Sequence, residues 1–207
     1  MPKTLIPLLQ EVRNCQLCAA YLPLGPRPVV QAAASSRLLI IGQAPGTKVH
    51  ASGIPWDDAS GKRLREWLQI DKEIFYDEGE VAIMPMGFCY PGRGPSGDLP
   101  PRPECAPQWH AALLAQLPQV SLTLLIGQYA QNYYLPEKPA TLTATVRQWQ
   151  RCGPRFFPLP HPSPRNQIWL RKNPWFAEEV LPALRERVAE CLSAPPHAPT
   201  QGRKSDL

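Results

Sequence analysis

Three groups of residues are of types, and at spacings, that could do chemistry. Residues 161–166 read HPSPRN, a histidine followed by a stiff Pro-Ser-Pro and a cation. A neutral imidazole at His161 could donate to an oxygen that gains charge, and Arg165 could meet an anion. Residues 42–46 read GQAPG. Glycine in such a turn lets a ligand come close to backbone N–H groups. Cysteine supplies the third group: Cys15 and Cys18 form a Cys-x2-Cys pair, and Cys89 and Cys105 bound a loop rich in proline and glycine. Four thiolates suit tetrahedral zinc or an iron–sulfur cluster. Four cysteines packed as small apolar side chains are the alternative. Cys152 and Cys191 have no partner pattern and read as structural.

Groups so far apart in the chain need a fold to bring them together. Four short apolar runs, residues 37–42, 81–86, 121–127 and 156–160, read as buried strands. Runs apolar on both faces suit a mainly parallel sheet covered by helices. Prolines inside the second and fourth runs belong near strand ends. Between them, residues 60–70 place Leu64, Trp67 and Leu68 on one helical face. Further helices are expected over 105–117, 128–135 and 174–192, the last with Pro174 at its start. A short amphipathic helix precedes Cys15. The expected architecture is an α/β three-layer sandwich, a central, mainly parallel four-stranded sheet flanked by helices. Ligands in such sheets sit beyond the carboxyl ends of the strands. The loops 42–46, 89–105 and 161–166 all fall there, and 14 of the 27 prolines lie in or beside loops of this kind. Residues 1–192 form one expected domain, and 193–207 lack apolar periodicity and are expected as a disordered tail.

The chain has 207 residues, 43% of them apolar, enough to bury a core without disulfide staples. No apolar run approaches the roughly 18 residues of a membrane span. The N-terminal segment carries charge within its apolar stretch and has no signal-cleavage pattern. A cytoplasmic protein, away from membranes, is the expectation, and six cysteines there favour metal over disulfides. The net charge of +5 permits an anionic partner such as nucleic acid. No coiled-coil pattern is present, and a monomer is expected.

Taken together, these motifs resemble the uracil-DNA glycosylase superfamily, most closely its iron–sulfur branches. The resemblance rests on Cys15 and Cys18, the turn at 42–46, the Cys-Tyr-Pro-Gly beginning at Cys89 and running to Cys105, and the His-Pro-Ser at 161–163. It spans roughly residues 8 to 190. The HPSPRN spelling is similar to the single-strand-selective branch. What the resemblance implies is a DNA-repair enzyme that hydrolyses the bond between a deaminated base, uracil first, and deoxyribose. DNA containing the damaged base is the implied partner. Cys15, Cys18, Cys89 and Cys105 would hold a [4Fe-4S] cluster in preference to zinc. His161 would hydrogen-bond the base oxygen that becomes negative. Gly42, Gln43 and Ala44 would bring backbone amides to the base, and Trp56 would stack on it. Ser163, Arg165 and Asn166 belong to a loop that would press into the minor groove, and Arg63, Arg93, Arg102 and Arg171 could meet phosphates.

Two positions depart from the pattern. Position 43 is Gln where one iron–sulfur branch has Glu, and position 44 is Ala where other branches have Asp or Asn. Asp58, just before Ala-Ser-Gly, becomes the candidate that orients water, or else it caps the helix that follows. Position 85 is Pro where the family carries the asparagine that reads the uracil edge, and proline offers only a carbonyl. The base could then be hypoxanthine or xanthine, or the chain could be a catalytically silent iron–sulfur module that binds nucleic acid. No lysine stands at a motif position suited to Schiff-base chemistry, so a monofunctional enzyme is expected.

Overall fold

A computed structural model of the chain describes residues 4–95 and 97–194. The expected tail therefore lies almost wholly outside the described residues. In chain order the elements are α1 (Leu5–Arg13), β1 (Leu38–Ile41), α2 (Thr47–Ser52), α3 (Ala59–Leu68), α4 (Lys72–Tyr76), β2 (Val81–Ile83), β3 (Arg93–Gly94) and β4 (Gly97–Asp98). There follow α5 (Cys105–Leu114), β5 (Leu122–Ile126), α6 (Gln128–Tyr134), α7 (Leu142–Arg147), β6 (Phe156–Leu159), α8 (Gln167–Lys172) and α9 (Leu181–Ser193). The four apolar runs are the four strands of one sheet, in the order β2-β1-β5-β6, and every pairing is parallel. β3 and β4 form a separate antiparallel ribbon inside the Cys89–Cys105 loop, which the sequence did not foretell.

Residue alternation along the strands makes the layers. Leu38 and Ile40 face one way, against Leu64, Trp67 and Leu68 of α3 and Leu184 and Val188 of α9. Leu39 and Ile41 face the other way, against Leu5, Leu8, Leu9 and Val12 of α1, Leu113 of α5 and Ala130 of α6. A sheet buried on both faces needs such doubly apolar strands, and a three-layer α/β sandwich results. Each fully buried leucine of this kind contributes about 2 kcal/mol through burial.

The expected helix over 174–192 is divided. Residues Phe176–Val180 form a π-helical turn, and α9 begins at Leu181. Pro182 lies in the first turn of α9 and has no N–H to return to the preceding turn, so the α-helical ladder cannot run through it. Among the described residues, no helix is long and apolar enough to cross a membrane.

Candidate active site

Because the strands are parallel, the segments that follow β1, β2 and β6 leave the sheet on the same side. The turn at 42–46, residues 84–87 and the loop 161–166 meet there around a cleft of 360 Å³. Gly42, Gln43, Ala44, Trp56, Asp58, Pro85, His161, Ser163 and Arg165 all line it. Backbone bonds fix the turn: Met86 N donates to Gly42 O at 2.9 Å and Gly87 N to Gln43 O at 3.0 Å.

Trp56 is held in an unusual backbone conformation, with φ of 56°. For a bulky residue that costs roughly 1–2 kcal/mol and persists only where neighbours enforce it. Two glycines make it possible. A Cβ on Gly61 would lie 1.7 Å from Trp56 O, and a Cβ on Gly42 would lie 2.8 Å from the indole ring. The Tyr76 hydroxyl also reaches Trp56 O at 3.4 Å. The indole ends 5.5 Å from the His161 ring, tilted by 33°. A planar ligand could be sandwiched against this indole with the imidazole at its edge.

The protonation of His161 follows from its hydrogen bonds. Ser163 N donates to Nδ1 at 3.1 Å, so Nδ1 holds a lone pair and, in the neutral ring, Nε2 carries the proton. Burial lowers the His161 pKa below the ordinary histidine value, and the Asp58 carboxylate partly opposes that. At neutral pH the residue is an uncharged N–H donor at the cleft. Its loop is braced: Arg63 Nη1 donates to Ser163 O at 3.1 Å, Ser163 Oγ accepts from Arg165 N at 3.2 Å, and Asn166 Nδ2 donates to His161 O at 2.6 Å.

The capping reading of Asp58 holds. One oxygen, Oδ1, accepts from Gly61 N at 2.8 Å and caps α3. A carboxylate has two oxygens, and the residue still lines the cleft within electrostatic reach of His161. Gln43 donates from Nε2 to Leu99 O at 3.0 Å. A glutamate could not make that bond, so the amide ties the β3–β4 ribbon to the turn. Asn166 is not among the lining residues and acts on the loop instead. Arg63 also serves the loop, and Arg102 stacks on Tyr21 and pairs with Glu104 at 2.5 Å. Arg93 lines the cleft from β3, while Arg171 lies in the last turn of α8. Asp98 and Lys48 also line the cleft, and no motif in the sequence singles them out. The ribbon that carries Asp98 is too short for a periodic signal.

The four expected metal ligands come together. Every pair among Cys15, Cys18, Cys89 and Cys105 is close enough for one thiolate to raise the pKa of another. Burial is the larger cause, and it pushes Cys89 up to about 11 and Cys105 up to about 12. Phe88 N donates to Cys105 Sγ at 3.4 Å. Among the described residues, however, no three His, Cys, Asp or Glu side chains are gathered closely enough to hold one metal ion. Cys191 is buried against Ser121 and Arg37 O, away from this corner, in a structural setting.

The family model described as the uracil DNA glycosylase superfamily matches residues 29–185. That span contains every cleft residue named above together with Cys89 and Cys105, while Cys15 and Cys18 precede it.

Proposed function

The chain belongs to the uracil-DNA glycosylase superfamily, whose members are DNA glycosylases, and on that premise we propose that it hydrolyses the N-glycosidic bond of uracil in DNA and leaves an abasic site. The observation that carries this reading is the Ser163 N–H bond to His161 Nδ1, which leaves the proton on Nε2 at the cleft. Breaking the bond leaves negative charge on the departing base and positive charge on the sugar. A fixed neutral donor stabilises the first without needing protonation, because its proton is already in place. Trp56 supplies the face on which an extruded base stacks. The turn at 42–46 brings backbone N–H groups to the same base. Asp58, with one oxygen capping α3, uses the other to orient water and to offset the sugar cation. Lys48 is exposed on the cleft rim, which suits a phosphate contact over attack at the sugar.

Supporting a cluster is the set of four cysteines within electrostatic reach of one another, a thiolate set of the kind that four-iron clusters take. Cys15, Cys18, Cys89 and Cys105 would hold it. Bound there, the cluster supplies covalent cross-linking of the N-terminal segment to the Cys89–Cys105 loop. Protons must leave the buried thiols as metal binds.

Purified protein incubated with a uracil-containing oligonucleotide and then alkali is expected to give strand scission, whereas borohydride should trap no covalent complex. Asp58→Asn should lower kcat by about 10- to 100-fold with little change in DNA affinity. Binding to uracil DNA without any cleavage would select the silent nucleic-acid module. Iron and acid-labile sulfide in anaerobically purified protein, about four of each per chain, distinguish the cluster from zinc.

A further inference from the structure

The first turn of α3 brings Asp58, Ala59 and Ser60 to the cleft together. Ser60 is 8% exposed, and among the described residues it is the one buried polar side chain in the lining. No hydrogen bond within those residues reaches its hydroxyl. Thr123 of β5 also has an unpartnered hydroxyl, but that oxygen is sealed in the core. The Ser60 oxygen is not sealed in this way and opens on the cleft. Other polar groups of the lining are accounted for. Lys48, Arg93 and Asp98 are exposed to bulk water, while Gln43, His161 and Ser163 are engaged within the protein.

A buried hydroxyl without a partner destabilises the fold, and alanine in a helix would fill this place without that penalty. The hydroxyl therefore serves something that enters the cleft. The base already meets His161, Trp56 and the turn at 42–46. The attacking water has only Asp58, one oxygen of which caps α3. A single acceptor fixes one O–H of a water and leaves the molecule free to turn about that bond. A second acceptor stops the rotation and leaves a lone pair aimed at the sugar. We propose that Ser60 is a further catalytic residue: its hydroxyl accepts one hydrogen bond from the attacking water while Asp58 accepts the other. The inference rests on the glycosylase reading above. As the water oxygen bonds to C1′, the bond from C1′ to the base nitrogen breaks and its electron pair leaves with the base. His161 stabilises that anion. The water proton facing Asp58 passes to the carboxylate and on to solvent. The proton facing Ser60 stays on the oxygen as the new sugar hydroxyl, so serine need only accept.

The test follows single-turnover cleavage of a uracil-containing single-stranded oligonucleotide, its binding by fluorescence anisotropy, and thermal unfolding. Ser60→Ala should slow cleavage by about tenfold at unchanged affinity, with a melting temperature equal to or above that of the wild type. Added to Asp58→Asn, it should slow cleavage by less than about twofold more, because both residues hold one water. In water–methanol mixtures the share of abasic product carrying a methoxy group at C1′ should rise in Ser60→Ala, since water is no longer held ahead of the alcohol. Cleavage by Ser60→Ala at the wild-type rate overturns the proposal. So does weaker DNA binding at an unchanged rate, which would make Ser60 a substrate contact. A slower rate with a lowered melting temperature and an unchanged methanol share also overturns it, leaving a structural role. A wild-type protein that cuts no uracil removes the glycosylase reading and this assignment together, whereas an active wild type with a full-rate Ser60→Ala removes the assignment alone.

Discussion

The base cleft and the cysteine corner share one loop, 89–105, yet they are held together by different means. In the cleft, protein groups bind each lining segment to another. Gly87 bonds to Gln43, Gln43 to Leu99, Arg63 to Ser163, and Ser163 to His161. At the corner, backbone N–H groups of Arg27 and Phe88 reach the sulfurs of Cys89 and Cys105. The four cysteines are free thiols, and burial first, then the neighbouring sulfurs, raise the pKa of Cys18, Cys89 and Cys105. The chain preorganises the cleft, where electrostatic stabilisation depends on donors that need not move. At the corner it only brings the thiols within electrostatic reach of one another.

The largest effect comes from the cleft donor alone. His161→Ala should lower kcat by about 100- to 1,000-fold, roughly 3–4 kcal/mol, while the metal content of the purified protein is unchanged. Loss of metal in this variant would show that the two regions are not separately built.

Acid should strike the cleft side through its buried neutral histidines. The folded pKa of His110 lies near about 4, below the unfolded value of 6.5, so its contribution is complete above pH 6.5 and is lost as pH falls toward 4. The total is about 3 kcal/mol across that window. His161 carries the same sign. Thermal unfolding followed from pH 8 to pH 4 is expected to be flat and then to fall, and His110→Gln should flatten the fall. Constant stability down to pH 4 would contradict burial of a neutral imidazole.

Smaller still is the effect expected where the two regions meet. Cys105→Ser should abolish metal binding and speed amide exchange of Arg93, Gly94 and residues 97–99 by about tenfold, with 161–166 unaffected, since only the first segment depends on the corner. Equal acceleration of both segments would make the cleft as metal-dependent as the ribbon. The mildest change is Arg63→Ala, which removes one bond to Ser163 O and should reduce kcat/KM by about fivefold, near 1 kcal/mol, without altering metal content.

Much of the fold was legible because its signals are local. The four strands of the main sheet lie within the four apolar runs, since a strand buried on both faces has few polar positions to interrupt it. The turn at 42–46 and the loop at 161–166 were legible through glycine and proline, which restrict the backbone wherever they occur. What stayed hidden depends on partners distant in sequence. Arg63 and Ser163 are 100 residues apart, and His110 meets Pro85 across 25. Nothing near Arg63 distinguishes a loop brace from a phosphate contact. Asp58 shows the limit from the other direction, because one residue both caps α3 through Oδ1 and lines the cleft.

By itself the sequence determined the residue types available to the chemistry, the layers of the sandwich, and the side of the sheet on which the site forms. Hydrophobic periodicity and backbone restriction act over a few residues, so they can be read in order along the chain. Only the tertiary structure decided which nitrogen of His161 bears the proton, that Gln43 ties down the ribbon, and that the Pro85 carbonyl meets His110. Each of those depends on which donor meets which acceptor across the packed layers, and hydrogen bonds have directions that spacing along a chain does not encode.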